Sequence, residues 1–189
     1  GDSYGDSNSA VVACDQPTGY VADDSDCNDA NAQLFPYDSD GNGAVDTCGW
    51  QAMDSGRNHS CAIDSAGSIT CWGKDNYGQV SNTPTGSDFV VVSAGWTHSC
   101  ALDTAGDIEC WGIETGNGYD KGQVTDTPSG PFAAVSAGWT HTCALNGTGE
   151  IECWGDDYDL RCSDAPTNSG NTVVSAGNIQ SCSLNSNSN

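Results

Sequence analysis

Apolar and polar residues alternate on both sides of a short, Gly-containing turn in one segment that recurs along the chain. In the copy at 95–112, cysteine and aliphatic residues take every second position before and after the turn at 103–106. A period of two on both sides of such a turn is typical of a β-hairpin. No segment keeps a helical period over three turns, so we predict an all-β chain.

The hairpin pattern occurs in three complete copies and one that is only begun, at 56–73, 95–112, 138–155 and 176–184. The first cysteines of successive copies are 39, 43 and 39 residues apart. A nearly constant period of this size indicates an array of one supersecondary unit, in which each unit buries its faces against its neighbours. We therefore predict an acidic segment at 1–49 followed by repeats over 50–189, at about 56–93, 94–136, 137–175 and 176–189, the last one truncated.

A three-residue turn places the two cysteines of each hairpin directly opposite each other. Residues that face each other across a hairpin have Cβ atoms about 4.5–5.5 Å apart, close to the span of a disulfide. Nine residues separate the two cysteines and no Cys-x-x-Cys pair occurs, which does not suit a zinc site. We predict three disulfides within hairpins, Cys61–Cys71, Cys100–Cys110 and Cys143–Cys153.

A histidine stands two positions before the first cysteine of each complete copy, at His59, His98 and His141. Such a set could form a ring of ligands or acid–base groups, or each imidazole could bond to neighbouring backbone for structural reasons. Equivalent residues of successive repeats rarely converge on one centre, so we favour the structural interpretation. The Trp-Gly pairs that close the hairpins are expected to pack between units, at Trp72, Trp111 and Trp154.

The composition limits the compartment and the partners. The chain has a formal charge of −22, with 26 acidic and four basic residues, so we exclude nucleic acid as a partner. No apolar stretch approaches the roughly 20 residues of a membrane span, and we expect no membrane insertion. Eleven cysteines in regular positions indicate an oxidising compartment, so we predict a secreted, extracellular or cell-surface protein whose export signal precedes Gly1.

Two further sequence strips recur beside the hairpins. Gly-Gln-Val occurs at 78–80 and 122–124, and Val-Ser-Ala-Gly at 92–95, 135–138 and 174–177. With the motif His-x-Cys-Ala-Leu/Ile…Ile-x-Cys-Trp-Gly, these strips resemble the regulator of chromosome condensation repeat in its secreted bacterial, cysteine-paired form, over about 56–184. The resemblance implies four-stranded blades of a β-propeller, which normally has seven. It also implies a binding surface, since the secreted branch includes inhibitors of β-lactamases.

The number of repeats differs from that family. Three units and a partial fourth cannot close a seven-bladed ring, so we expect an open, partial β-propeller of three blades plus an incomplete fourth. The last strand, at about 181–185, would present an unpaired edge. That edge could be covered by the segment 1–49 or by a neighbouring subunit through strand addition.

Oxygen-bearing residues recur at alternate positions over 38–46, with a glycine at the sixth position of the run. This is the ligand pattern of a calcium loop, to which a backbone carbonyl contributes at the seventh position. Gly49 takes the place of the final glutamate of an EF-hand, and the run instead resembles thrombospondin type 3 repeats. The predicted Ca²⁺ ligands are Asp38, Asp40, Asn42, the carbonyl of Ala44, and Asp46.

A second acidic cluster precedes this loop. Together with the cysteines at 14 and 27 and the Gly-Tyr between them, it resembles the metal-binding motif of secreted bacterial surface proteins. Hard oxygen ligands favour Ca²⁺ over zinc or copper, although a solvated acidic coil would have a similar composition. The predicted ligands of this cluster are Asp6, Asp23, Asp24, Asp26 and Asp29.

Five cysteines remain outside the hairpin bridges. The resemblance to the metal-binding motif implies the pair Cys14–Cys27. Cys162 replaces the valine found at positions 80 and 124, and Cys182 has no partner strand, so we predict a compensating bridge Cys162–Cys182. Cys48 would then pair differently or bridge to another chain.

Two functions are compatible with these features. We favour a non-enzymatic, calcium-stabilised structural protein that associates head to tail with itself into an extracellular fibre or surface layer. The alternative is a secreted propeller binding module for a cell-surface protein or glycan, or a piece of a longer closed propeller. An enzyme is disfavoured because no nucleophile–base pair stands out and calcium accounts for the paired carboxylates.

Overall fold

The structure is a computed structural model, and it describes residues 50–186. These residues form eleven strands and a short 3-10 turn at Tyr158–Leu160, and they contain no α-helix. The all-β prediction is confirmed. The strands are β1 (Trp50–Ser55), β2 (His59–Asp64), β3 (Ile69–Gly73), β4 (Phe89–Ala94), β5 (His98–Asp103), β6 (Ile108–Gly112), β7 (Phe132–Ala137), β8 (His141–Asn146), β9 (Ile151–Gly155), β10 (Asn171–Ala176) and β11 (Ser181–Asn185).

The strands form four antiparallel sheets in chain order. Sheet 1 is β1–β2–β3, sheet 2 is β4–β5–β6, sheet 3 is β7–β8–β9, and sheet 4 is β10–β11. Each complete sheet begins with the strand that leads into a Gly turn, followed by the hairpin after that turn. Strands β4 and β10 are rich in β-branched residues, which favour strands, whereas β1 has the sequence Trp-Gln-Ala-Met-Asp-Ser, which has no β-branched residue.

The described sheets have at most three strands, whereas the family resemblance implied four. The strip after the first hairpin forms turns instead. The N–H of Asn82 donates to the carbonyl of Gly78, and the carboxylate of Asp75 accepts hydrogen bonds from the N–H groups of Val80 and Ser81. These local bonds satisfy backbone groups that would otherwise join the ladder of a fourth strand.

The hairpins have the register that the sequence predicts. In sheet 2, Cys100 faces Cys110 and Leu102 faces Ile108, and the same pairing recurs in sheets 1 and 3. The Cα atoms of the paired cysteines are 4.0–4.1 Å apart. All three disulfides predicted within hairpins are formed.

Each inner sheet buries two different faces. We call the face of a sheet that packs on the next sheet along the chain its forward face, and the face that packs on the preceding sheet its backward face. The forward face of sheet 2 carries Cys100 and Leu102, which pack on Phe132, Val135 and the other residues on the backward face of sheet 3. The same contact joins sheet 1 to sheet 2 and sheet 3 to sheet 4. The core is therefore one contact repeated three times in residues 50–186, and each side chain in it belongs to a defined face.

Histidines connect the sheets across these contacts. The Nε2 atoms of His59, His98 and His141 lie 2.6, 2.7 and 2.7 Å from the hydroxyl oxygens of Ser99, Thr142 and Ser181 in the next sheet. The imidazoles are structural, but the prediction that they bond to neighbouring backbone was wrong. Their partner is the Ser or Thr that immediately precedes the first cysteine of the following repeat.

A second set of bonds explains the Val-Ser-Ala-Gly strip. The N–H of Trp96 donates to the carbonyl of Gly138, and the N–H of Ala137 donates to the hydroxyl of Ser93. A Cβ atom placed on Gly95 would come within 2.3 Å of the Gly138 carbonyl oxygen. Glycine is required at this position because two backbones approach each other there.

Replacing Gly95 by alanine should therefore loosen the contact between sheets 2 and 3. We expect Gly95→Ala to destabilise the protein by about 1–3 kcal/mol, the usual cost of forcing atoms into a packed contact. Gly147→Ala is the matched control, because nothing lies within 4 Å of its added Cβ, and it should change stability by less than about 0.5 kcal/mol. Urea unfolding of both variants measures the difference, and equal midpoints would contradict the assignment.

The buried histidines should make stability depend on pH. Burial lowers the pKa of His98 to about 3 and that of His141 to about 4, from an ordinary value of 6.5. The unfolded chain then binds more protons than the folded chain below pH 6.5, so stability falls as the pH drops from 6.5 towards 4. Urea midpoints between pH 7 and 5 should decline in the wild type and decline less in His98→Gln. Identical slopes would contradict this account.

Candidate functional site

The predicted calcium ligands lie in residues 1–49, outside the described residues. Within residues 50–186, no group of three or more His, Cys, Asp or Glu side chains is close enough to hold a metal ion. The three histidines accordingly bond to three separate hydroxyls and do not converge on one centre. The calcium loops remain predictions.

The predicted bridge Cys162–Cys182 was wrong, because both residues are free thiols in the structure. The sulfur of Cys162 donates instead to the carbonyl of Asp156 in its own loop, at 3.6 Å. Burial, followed by the nearby charge of Asp157, raises the pKa of the Cys162 thiol to about 11, so it is protonated and unreactive at neutral pH. The predicted pair Cys14–Cys27, like Cys48, lies outside the described residues.

The shifted carboxylates among the described residues have structural causes. Backbone N–H groups of Ser81 and Val80 lower the pKa of Asp75, and those of Ser163 and Cys162 lower the pKa of Asp157. Both side chains organise the same turn in different repeats. They mark recurring loop geometry and do not identify an acid–base pair.

The forward face of sheet 4 is exposed. Leu184 is 64% exposed, whereas the residues at its position in sheets 1 to 3, Ile63, Leu102 and Leu145, are 5% exposed or less. Cys182 is also exposed, whereas Cys61, Cys100 and Cys143 are fully buried. A cavity of about 200 Å³ beside β11 is lined by Cys182, Leu160 and Ile179. This face has the residues of a core contact, and no other sheet formed by residues 50–186 covers it.

The backward face of sheet 1 has the complementary property. Met53 stands three positions before its Gly turn, as Val92, Val135 and Val174 do in sheets 2 to 4. Met53 is 65% exposed, whereas the three valines are 5–8% exposed. The described repeats therefore expose one forward face and one backward face, the two halves of the contact that joins their sheets.

An aromatic groove lies at the Gly turns. Its walls come from one repeat position, occupied by Arg57, Trp96, Trp139 and Asn178, and Gly and Ala residues form its floor. The rings of Trp96 and Trp139 are 4.9 Å apart, and the Arg57 guanidinium stacks on Trp96 at 5.0 Å. Tyr119 meets Trp96 edge-on at 5.0 Å. The groove has a volume of about 320 Å³.

A second cavity, of about 270 Å³, shares the Trp139 ring with this groove. Lys121, Tyr119 and Tyr158 line it, and Arg161 is held in its wall by an ion pair with Asp156 at 3.4 Å. Neither the groove nor this cavity was predicted from the sequence. The sequence feature that could have indicated the aromatic groove is the residue after each Gly turn, which is aromatic or basic in three of the four copies.

The disulfides bear on location. Three disulfides fit an extracellular or secreted protein. No helix in residues 50–186 is long and apolar enough to cross a membrane.

Solved structures with a similar fold are longer than this chain. The CRINKLY WD40 ectodomain of the Arabidopsis thaliana receptor kinase ACR4 has 26% sequence identity and a TM-score of 0.60 over 72% of this chain and 46% of its own. The Physcomitrella patens receptor kinase CR4 ectodomain has 27% identity and a TM-score of 0.58 over 71% and 37%. The chain thus spans less than half the length of either structure.

The repeats themselves are also recognised. Prp20p from Saccharomyces cerevisiae matches at 18% identity, with a TM-score of 0.51 over 71% of this chain and 43% of its own, which supports the fold alone. No curated protein matches the chain. Residues 50–79 and 132–159 match the regulator of chromosome condensation (RCC1) repeat. The chain therefore contains RCC1-type repeats in an all-β fold that is similar to β-propellers.

Proposed function

We propose that the chain is a non-enzymatic extracellular structural protein that associates head to tail with further copies of itself. The forward face of sheet 4 in one copy would cover the backward face of sheet 1 in the next. The exposure of Leu184 and Met53 carries this proposal, because the residues at both positions are buried wherever one sheet covers another. Burying such apolar side chains again supplies the driving force.

Hydrogen-bonding groups accompany the two exposed faces. Asn178 takes the position of Trp96 and Trp139. The backbone N–H groups of these two residues donate to the carbonyl of the Gly turn in the following sheet. In the assembly, the Asn178 N–H would donate to the Gly56 carbonyl of the second copy. Gln180 takes the position of the histidines and would reach the hydroxyl of Ser60. The new contact would repeat the pattern inside the chain, with Gln in place of His.

A contact between unlike faces repeats without closing on itself, unless the rotation between copies completes a ring. The product would be a fibre or a surface layer. The charge of −22 opposes such association, so salt or bound cations should promote it.

A propeller binding module for another protein is the second candidate. Solved structures with RCC1-type folds support it, since Prp20p was described with its binding properties to Gsp1p and histones, and yeast RCC1 was solved with Kap60 bound. In this alternative, a foreign protein or glycan occupies the loops, or further repeats of a longer polypeptide cover the exposed faces. The segment 1–49 would bind Ca²⁺ in both cases.

Paired variants test the head-to-tail contact. Sedimentation velocity in 150 mM salt should show that wild-type chains assemble as concentration rises, whereas Leu184→Asp and Met53→Asp stay monomeric. An equimolar mixture of the two variants should form a dimer and stop there, because each retains one intact face. Tyr158→Asp, at a residue 71% exposed and on neither face, is the control and should assemble.

The outcomes separate the two candidates. A wild-type chain that stays monomeric at every concentration overturns the self-association proposal and leaves the binding module. A mixture that forms no dimer overturns the assignment of the two faces, even if the wild type assembles.

Removal of calcium should lower thermal stability. A site that is saturated about 100-fold above its dissociation constant contributes about 2.7 kcal/mol, so excess chelator should lower the Tm by about 5 °C or more. Asp38→Asn/Asp40→Asn should abolish most of this shift. Asp88→Asn/Asp107→Asn removes the same charge from the repeats and should retain it. A wild-type melting curve that is unchanged by chelator would contradict the calcium proposal.

A further inference from the structure

We propose that the aromatic groove formed by Arg57, Trp96, Trp139 and Asn178 binds an acidic saccharide, a sugar unit that carries a carboxylate. The groove is a cavity of about 320 Å³ with a floor of glycine and alanine, within the range of about 300–1,000 Å³ of ligand pockets. This binding is separate from head-to-tail association and does not depend on it.

The charged hydrogen-bond donor of the groove is the Arg57 guanidinium. The carbonyls of Gly95, Gly138 and Gly177 in its floor already accept hydrogen bonds from the next sheet. Among the described residues, the Arg57 guanidinium contacts the Trp96 ring but has no carboxylate partner. A ligand rich in acceptor oxygens would complement this donor.

Arg57 determines the kind of acceptor. A guanidinium offers parallel N–H donors that match the two oxygens of a carboxylate, and such charge-assisted bonds are stronger than neutral ones. Stacking on Trp96 holds the guanidinium in the wall of the groove and keeps its edge available for a bidentate contact. A carboxylate-bearing ligand is therefore favoured over a neutral one.

The rings determine the rest of the ligand. Aromatic faces are electronegative, so they attract the weakly positive C–H groups of a sugar ring. The rings of Trp96 and Trp139 are 4.9 Å apart and tilted by 55°, and Tyr119 supports Trp96 edge-on at 5.0 Å, so the groove has an aromatic wall. A saccharide combines both requirements, because it presents C–H groups on one face and hydroxyl and carboxylate oxygens at its rim.

The net charge limits how many carboxylates the ligand carries. At −22, the protein repels anions at long range, so binding rests on contacts inside the groove. The Debye length falls from roughly 30 Å at 0.01 M salt to roughly 8 Å at 0.15 M, which screens the repulsion and leaves short contacts largely intact. Affinity should therefore rise with moderate salt, the reverse of the behaviour of a basic polyanion site. Short oligosaccharides with few carboxylates fit best.

Titration calorimetry and tryptophan fluorescence with defined oligosaccharides test the proposal. The probes are oligogalacturonates, oligomannuronates, a hyaluronan tetrasaccharide and sialyllactose, each beside a neutral oligosaccharide of the same length. We expect at least one acidic probe to bind with a Kd of about 0.1–1 mM, corresponding to −4 to −5.5 kcal/mol. Its neutral counterpart should bind at least tenfold more weakly, and affinity should be higher at 0.15 M salt than at 0.01 M.

Matched charge variants locate the site. Arg57→Gln should weaken binding by about tenfold, the loss expected for a charge-assisted hydrogen bond. Lys74→Gln removes the same charge at a residue that lines none of the three cavities and should leave affinity unchanged. Trp96→Ala should abolish the fluorescence response. Leu184→Asp should bind the saccharide as the wild type does, which separates this test from that of self-association.

Three results would overturn the proposal. The first is no binding of any acidic probe at 5 mM. The second is equal binding of acidic and neutral probes, which removes the role of the carboxylate. The third is equal affinity of Arg57→Gln and Lys74→Gln, which removes the groove as the site.

Discussion

Each complete sheet in residues 50–186 is apolar on both sides, with a disulfide and Leu or Ile on one face and Phe or Trp with Val and Ala on the other in sheets 2 and 3. A three-stranded sheet of this kind is stabilised by neighbours that cover its apolar faces, and within residues 50–186 sheets 2 and 3 have a neighbour on both sides. The contact of unlike faces therefore organises the other features. It places the histidines opposite hydroxyls, brings the Gly turns together, and aligns the residues after those turns along one groove.

The same contact leaves one side chain per repeat outside the packing between sheets. Small residues bring the sheets close together at the Gly turns, and their carbonyls and hydroxyls are used in bonds between sheets. The next residue in each repeat contributes its backbone N–H to these bonds at Arg57, Trp96 and Trp139, but its side chain takes no part in them. Arg57, Trp96, Trp139 and Asn178 differ in size and charge at one position, which is where an array of similar units can vary without loss of packing.

The sequence predicted the all-β class, the hairpin register and the three disulfides, because alternation and cysteine spacing are local and recur three times. It did not predict β1, since Trp-Gln-Ala-Met-Asp-Ser lacks the β-branched residues of β4, and its place in sheet 1 depends on tertiary context. The hydroxyl partners of the histidines lie about 40 residues away, beyond any local pattern. The bridge Cys162–Cys182 failed for a related reason, because local bonds hold the loop at 156–163 and turn the Cys162 thiol to its own backbone.

The placement of the histidine bonds has a consequence for how such chains change. His98 and Ser99 are neighbours in sequence, yet the first bonds to the repeat that follows and the second to the repeat that precedes. Each repeat therefore contains both a histidine for the junction with the following repeat and a hydroxyl for the junction with the preceding one. A duplication or deletion of a whole repeat leaves every junction with a matched pair, whereas a substitution at one of these two positions leaves a mismatch in the adjacent repeat. The number of repeats can therefore change without breaking these hydrogen bonds. The two residues that form a bond at one junction must instead change together, although they lie in different repeats.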